Sequence, residues 1–405
     1  MKKIASLILL FVVFSCTQKP VKTELSVGNW LFEFPIDTEN PDLTIPFNVE
    51  VTGPKHLVIK NADERIDVTE IEYKADSVFI KMPVFGSEFK GKLSGNTLIG
   101  EYYNYNRAEV KPVPFHATFG VDQRFETNEE PTVDFSGRWQ VNFGTEENPD
   151  PAIGVFAQNG RLVTGTFQTE TGDYRYLQGV VNGNRMQLSC FDGSHIFLFT
   201  ATQENEKLEG MFYSGNTWKQ KWVAEKTDHP QLGDMKAFTY LKPGYEKLEF
   251  AFPNDQGDTI SLNDERYQNK VVIAQIFGTW CPNCMDETRY FVELYGKYHS
   301  QGLEIIGLDF ETKPDFDYFK SRVARYRKDL KVPYELVLAG SSNKKKAAEA
   351  LPMLNQVMSF PTAIFIDKTG KVREIHTGFS GPGTGDEYEH YQKETIELIE
   401  KLLNE

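Results

Sequence analysis

The stretch KVVIAQIFGTWCPNCMDE, residues 270–287, decides the reading of the C-terminal part of this chain. Up to Phe277 it is a continuous apolar run of strand length, as expected of a strand buried on both faces. After Gly278 the pattern changes. Cys281 and Cys284 are separated by two residues, Trp280 stands directly before them, and MDETRYFVELYGKYHSQG continues at helical spacing to a stop at Gly302. A cysteine pair in this setting could ligate a metal, attach a haem, staple a loop or exchange electrons with other thiols.

Spacing removes the first two. A structural zinc site needs four ligands, and only one such pair is present, with His299 and His376 in distant elements. Haem attachment needs a histidine directly after the second cysteine, where Met285 stands. No metal and no cofactor is expected. Redox chemistry fits better. A cysteine between a buried strand and a helix lies near unpaired backbone N–H groups and the positive end of the helix dipole, which stabilise the nucleophilic thiolate. Cys284, one turn further on the same face, can then attack a mixed disulfide formed at Cys281. Pro282 suits the first helical turn, where no donor is lost. The competing reading, a structural disulfide, would stabilise little because its loop is so short.

Working outward, LEIIGLDF (303–310) reads as a second buried strand. DFDYFKSRVARYRKDL and KKKAAEALPMLNQV read as helices, and TAIFIDKTGKVREIHTG as a hairpin turning at Lys368-Thr369-Gly370. EYEHYQKETIELIEKLL is a closing amphipathic helix. Together these make an α/β domain with a mixed sheet over 243–405. LEFAFPNDQGDTISL, FGTWCPNC, LEIIGLDF, SFPTAIFID and DKTGKV, taken together, resemble the TlpA-like group of thioredoxin-fold proteins, the extracytoplasmic thiol–disulfide oxidoreductases.

The resemblance implies a cis proline at Pro361, in SFPT, facing the pair and flanking an extended client segment; on its own residues Pro361 would read as a plain strand-start proline. Trp280, Pro282 and Phe360 support the pair. Gln275 stands where thioredoxin proper has a buried, titrating Asp, and Arg289 where a helix proline often follows. Glu287 occupies the place of a Glu found in many TlpA-like proteins. There it would share a helix face with Cys284 and take its proton; a solvated first-turn glutamate is the alternative.

Residues 26–228 show short alternating runs rich in Val, Phe, Tyr and Thr, broken by Gly, Asn and Pro, and read as all-β. They repeat. VGNWLFEF around Trp30 matches SGRWQVNF around Trp139, and NTLIGEYY ending at Tyr103 matches EKLEGMFY ending at Tyr213, at offsets of 109 and 110. The expectation is a duplicated antiparallel module, barrel- or sandwich-like, over 28–125 and 133–228, followed by a linker at 229–242. YYNY at 102–105, Trp218 and Trp222 are expected as core or rim. Cys190, in an alternating run, is expected as a small buried side chain.

MKKIASLILLFVVFSC opens the chain with a basic start and twelve uncharged residues, Ile4 to Ser15, too few to span a bilayer. Residues 1–15 read as a signal peptide whose ending resembles the lipobox of bacterial lipoproteins, with Cys16 acylated and 16–27 a polar tether. An ordinary signal with Cys16 an idle thiol is the alternative. Four cysteines in 405 residues are too few for a disulfide scaffold, and a net charge of −14 argues against a nucleic-acid partner.

The whole is a multidomain, lipid-anchored, periplasm-facing protein of the cell envelope. Its expected function is thiol–disulfide oxidoreduction, with client thiols or disulfides and an upstream thiol donor as partners. A thiol peroxidase of related fold, and a client-binding envelope lipoprotein with a mainly structural C-terminal domain, are the alternatives.

Overall fold

The computed structural model describes residues 24–37, 43–107 and 109–405. The signal segment, Cys16 and most of the tether lie outside the described residues. Among the described residues, no helix is long and apolar enough to cross a membrane.

The all-β half is two curled, wholly antiparallel sheets. In the first, neighbouring strands run Glu64–Val68, His56–Asn61, Thr44–Gly53, Gly28–Pro35, Val113–Phe119, Thr97–Asn104, Ser87–Ser94, Ser77–Lys81, Glu70–Lys74. Its two edge strands are consecutive in the chain, split only at Thr69, so one bent segment serves both edges. The second sheet closes by hydrogen bonds, since Leu162–Thr169 pairs with both Pro151–Asn159 and Leu177–Asn182. Closure removes the exposed edges that long antiparallel meanders would otherwise present.

Duplication extends to the residue level. Trp30 and Trp139 are fully buried, and each indole Nε1 donates to the carbonyl four residues earlier, Ser26 and Phe135, at 2.9 Å. Two residues before each tryptophan stands a glycine of positive φ, Gly28 at 128° and Gly137 at 112°, a conformation that side chains disfavour. Side chains fill both interiors: Phe32 stacks on Phe115 in the first and Phe167 on Phe199 in the second. Cys190 and Trp222 are buried in the second core, Tyr102 in the first, and Trp218 is exposed. Phe191 of the second barrel packs into the first barrel's core, 4.6 Å from the Phe47 ring.

In the C-terminal domain five strands lie in the order Glu335–Ser341, Leu303–Glu311, Val271–Phe277, Thr362–Ile366, Val372–Thr377. The first three are parallel, and the last two form an antiparallel hairpin against the central strand. Pleating sends Val271, Ile273 and Phe277 to one face, under the helices Pro282–Tyr298, Phe316–Leu330 and Asp386–Asn404. Val272, Ala274 and Ile276 face the other layer.

Two expectations shorten. The segment 344–357 is helical only over Lys344–Ala350, because Pro352 cannot supply the next N–H and biases Leu351 away from helix. The expected linker carries one turn of helix, Met235–Phe238, and is bonded to the C-terminal domain through Lys236–Glu374, Lys236–Glu394 and the Lys242 N–H to the Met353 carbonyl. Arg289 does not interrupt its helix. It pairs with Asp286 at 3.0 Å.

Candidate active site

Cys281 and Cys284 form a disulfide with Cα atoms 5.2 Å apart. Cys281 is the N-cap of the helix Pro282–Tyr298, with Pro282 in its first turn, and its sulfur accepts the Cys284 N–H at 3.2 Å. That N–H is one of the donors a helix start leaves unpaired, and it points at the sulfur where negative charge would develop on reduction. Cys281 retains 6% exposure and Cys284 none. Of the two residues, Cys281 is the one that lines the neighbouring cavity.

Around the pair, the Phe360–Pro361 peptide is cis and the Phe360 carbonyl oxygen lies 3.5 Å from the Cys281 sulfur. Trp280 donates its Nε1 to the Phe310 carbonyl at 2.9 Å and meets the Phe360 ring edge to face, 5.6 Å between centroids.

Beneath the pair lies a buried polar network. Glu287 is fully buried, which excludes the solvated first-turn alternative. Its carboxyl takes hydrogen bonds from Gln275 Nε2 at 2.9 Å and the Tyr391 hydroxyl at 3.1 Å. Burial nevertheless pushes it up to about 8, against the pull of those two bonds. Gln275 Nε2 also lies 3.5 Å from the Cys284 carbonyl, and its oxygen accepts from Thr288. The strand residue Gln275 thus ties Glu287 to the Cys284 backbone.

A pair of buried acids escaped sequence reasoning. Asp309 and Glu311, alternate residues on the strand beside the central one, are both fully buried. Burial, then the neighbouring Glu311, holds the Asp309 carboxyl well above the usual range. Glu311 accepts the Thr279 hydroxyl and N–H, and Arg322 Nε donates to the same hydroxyl at 3.1 Å.

The second barrel reaches into the site, and no motif announced it. Arg175, in the left-handed region at φ 57°, pairs with Glu64 of the first barrel, Asp192 of its own barrel and Asp286 of the redox helix. It also donates to the Pro282 carbonyl at 3.2 Å. Burial opposes the charge on Arg175, but its three carboxylates outweigh this and raise it well above the ordinary value. Burial likewise pushes Asp192 up, yet His195 and Arg175 bring it down to about 2.

Nearby, Asn283 donates to the Asp173 carbonyl at 3.1 Å, Ser359 to the Thr171 carbonyl at 2.7 Å, and Ser194 to the Trp280 carbonyl at 3.3 Å. Between the barrel and the cysteine pair is a cavity of about 370 Å³ whose lining includes Cys281.

The family model described as the AhpC/TSA family matches residues 243–375. A thiol-disulfide oxidoreductase ResA from Bacillus thuringiensis subsp. konkukian is 35% identical over 154 residues, which are 38% of this chain and 78% of that protein. A protein of the same name from Geobacillus thermodenitrificans is 30% identical over 141 residues, 35% of this chain and 72% of the other. A crystal structure of a thiol:disulfide interchange protein of the thioredoxin family from Chlorobium tepidum aligns with TM-score 0.30 and 19% identity, over 39% of this chain and 95% of that one.

Proposed function

The chain belongs to the ResA-type thiol–disulfide oxidoreductases, and on that premise we propose that it reduces client disulfides by direct dithiol exchange through Cys281 and Cys284. Cys281 attacks as the thiolate. The client's S–S bond breaks as a mixed disulfide forms at Cys281, and the departing client sulfur takes a proton from water. Cys284 then passes its proton to Glu287 and attacks the Cys281 sulfur. The second client sulfur leaves and takes a proton from water, Glu287 returns its proton to water, and the disulfide seen in the structure remains. A dithiol donor must restore the pair for the next turnover. Pro361, at its cis bond, shapes the loop against which the client chain lies, while Trp280, Pro282 and Phe360 hold the pair in place.

The observation that carries this reading is the asymmetry of the two sulfurs. Cys281 lines the cavity and its sulfur receives a helix N-terminal N–H, whereas Cys284 is fully buried and its backbone carbonyl shares the Gln275 amide with the Glu287 carboxyl, itself pushed up to about 8. Insulin reduction with a dithiol donor tests it. The expected result is activity lost in Cys281→Ala and mixed disulfides accumulating in Cys284→Ala; equal turnover by Cys281→Ala and the parent chain would end the proposal.

The reducing direction rests on the family resemblance. Titration against thiol buffers should give a potential below about −200 mV, whereas a value near about −120 mV marks an oxidant. The envelope location and the lipid on Cys16 rest on residues 1–16 of the sequence. Cys16→Ser should move the protein from the membrane to the soluble envelope fraction, and unchanged fractionation would remove the anchor.

A further inference from the structure

The second barrel forms one side of an open cleft over Cys281, and its side chains meet any disulfide that reaches the pair. The cavity of about 370 Å³ over Cys281 has one wall from the barrel, including Asp150, Glu170, Tyr174 and Phe197, and one from the redox domain, including Trp280 and Phe360. The barrel wall is fixed on both sides of the pair. Ser359, beside the cis proline, holds Thr171, and Asn283, between the cysteines, holds Asp173, whose carboxylate also accepts the Gly381 N–H at 2.6 Å.

Size and charge both discriminate. A standard protein interface buries about 800 Å² on each partner, whereas a cleft of about 370 Å³ holds only a few residues of extended chain between its two walls. Asp150 and Glu170 place negative charge at the wall. Asp150 is close enough to act, after burial, on the Tyr174 phenol, and Glu170 is held by the Gly233 N–H at 3.2 Å. No lysine or arginine is among the described lining residues, and His195 has its Nδ1 on Asp192 at 3.0 Å.

We propose that the second barrel forms the outer wall of a substrate cleft over Cys281, and that this cleft selects slender disulfides flanked by neutral or cationic groups over anionic ones. The proposal rests on the oxidoreductase reading above and adds the substrate class to it. The chemistry is the exchange already described: a client disulfide gains two electrons and two protons as the Cys281–Cys284 dithiol is oxidised.

The test uses the full chain, reduced with dithiothreitol and freed of it, in single turnover with two cyclic disulfide peptides. They differ only in having Lys or Glu beside each cysteine, and each rate is divided by that of the same peptide with free dithiothreitol. The expected Lys-to-Glu ratio is about tenfold at low salt, for charges separated by several ångströms at a partly exposed site. It should contract in Asp150→Asn/Glu170→Gln and in high salt. A ratio near one in the parent chain, or one that the double substitution leaves unchanged, overturns the cleft proposal alone. Should neither peptide react, or should Cys281→Ala react equally well, the oxidoreductase reading falls and takes the cleft proposal with it.

Discussion

Glu287, with its carboxyl near 8, is matched to a thiol of about 8.5, so a proton can pass from Cys284 at little cost in either direction. The same raised value makes stability depend on pH. The native state keeps a proton that the unfolded chain releases, so this contribution is fully present below about 4.5, declines as pH rises towards 8, and is constant above. Glu287→Gln abolishes that decline: relative to the parent, the variant should gain stability from pH 5 to pH 9. Thermal unfolding across the range reads this, and parallel curves for the two proteins would mean that Glu287 titrates normally. In kinetics the resolving step should slow about a hundredfold and lose its inflection near pH 8. The placement of the two cysteines and Glu287 at one helix start was legible because it depends on local spacing. Asp309 and Glu311 were not. Alternation within LDFE puts both on one face, but whether that face meets Thr279 and Arg322 depends on how a distant loop and helix pack.

At the scale of elements, the duplicated β module was legible through the matching VGNWLFEF and SGRWQVNF segments, because one local device, an indole bonded back to a carbonyl four residues earlier, recurs at the start of each. How the barrels meet was not. Phe191 ends the strand Arg185–Phe191 of the second barrel, yet its ring packs among Phe47, Phe89 and Tyr102 of the first. Its alternation predicts burial but not in which core. Phe191→Ala should cost about 3–5 kcal/mol, as for other fully buried phenylalanines cut to alanine. Because the ring belongs to one barrel and fills the other, the loss should also uncouple them. Urea unfolding is expected to change from one transition to two, and a single transition with an unshifted midpoint would place the ring outside the energetics of both cores. The shortened helix Lys344–Ala350 and the docked segment 229–242 share the same lesson, since periodicity shows what is apolar and not what it touches.

Across the whole molecule, Arg175 is where three bodies meet: Glu64 from the first barrel, Asp192 from the second, and Asp286 with the Pro282 carbonyl from the redox helix. Nothing in YRYLQG marks it, because its importance comes from three carboxylates distant in sequence. Removing the cation while leaving those groups buried is the expensive way to break such a network. Arg175→Met should therefore cost about 3–5 kcal/mol near neutral pH. The sign of its pH dependence follows. Without the guanidinium the folded-state pKa values of Glu64 and Asp192 rise, so the variant's native state takes up protons that the parent's does not, and its deficit should shrink as pH falls from 8 towards 5. Because the same guanidinium holds the first turn of the redox helix against the barrel, the damage should not stay in the β half. Amide exchange across residues 282–290 should quicken, and Cys281, once reduced, should alkylate faster as the cleft loosens. If instead the variant lost stability equally at both pH values, with unchanged exchange in that turn, the arginine would be a local strut of the barrels and the redox helix would be held in place by its own domain.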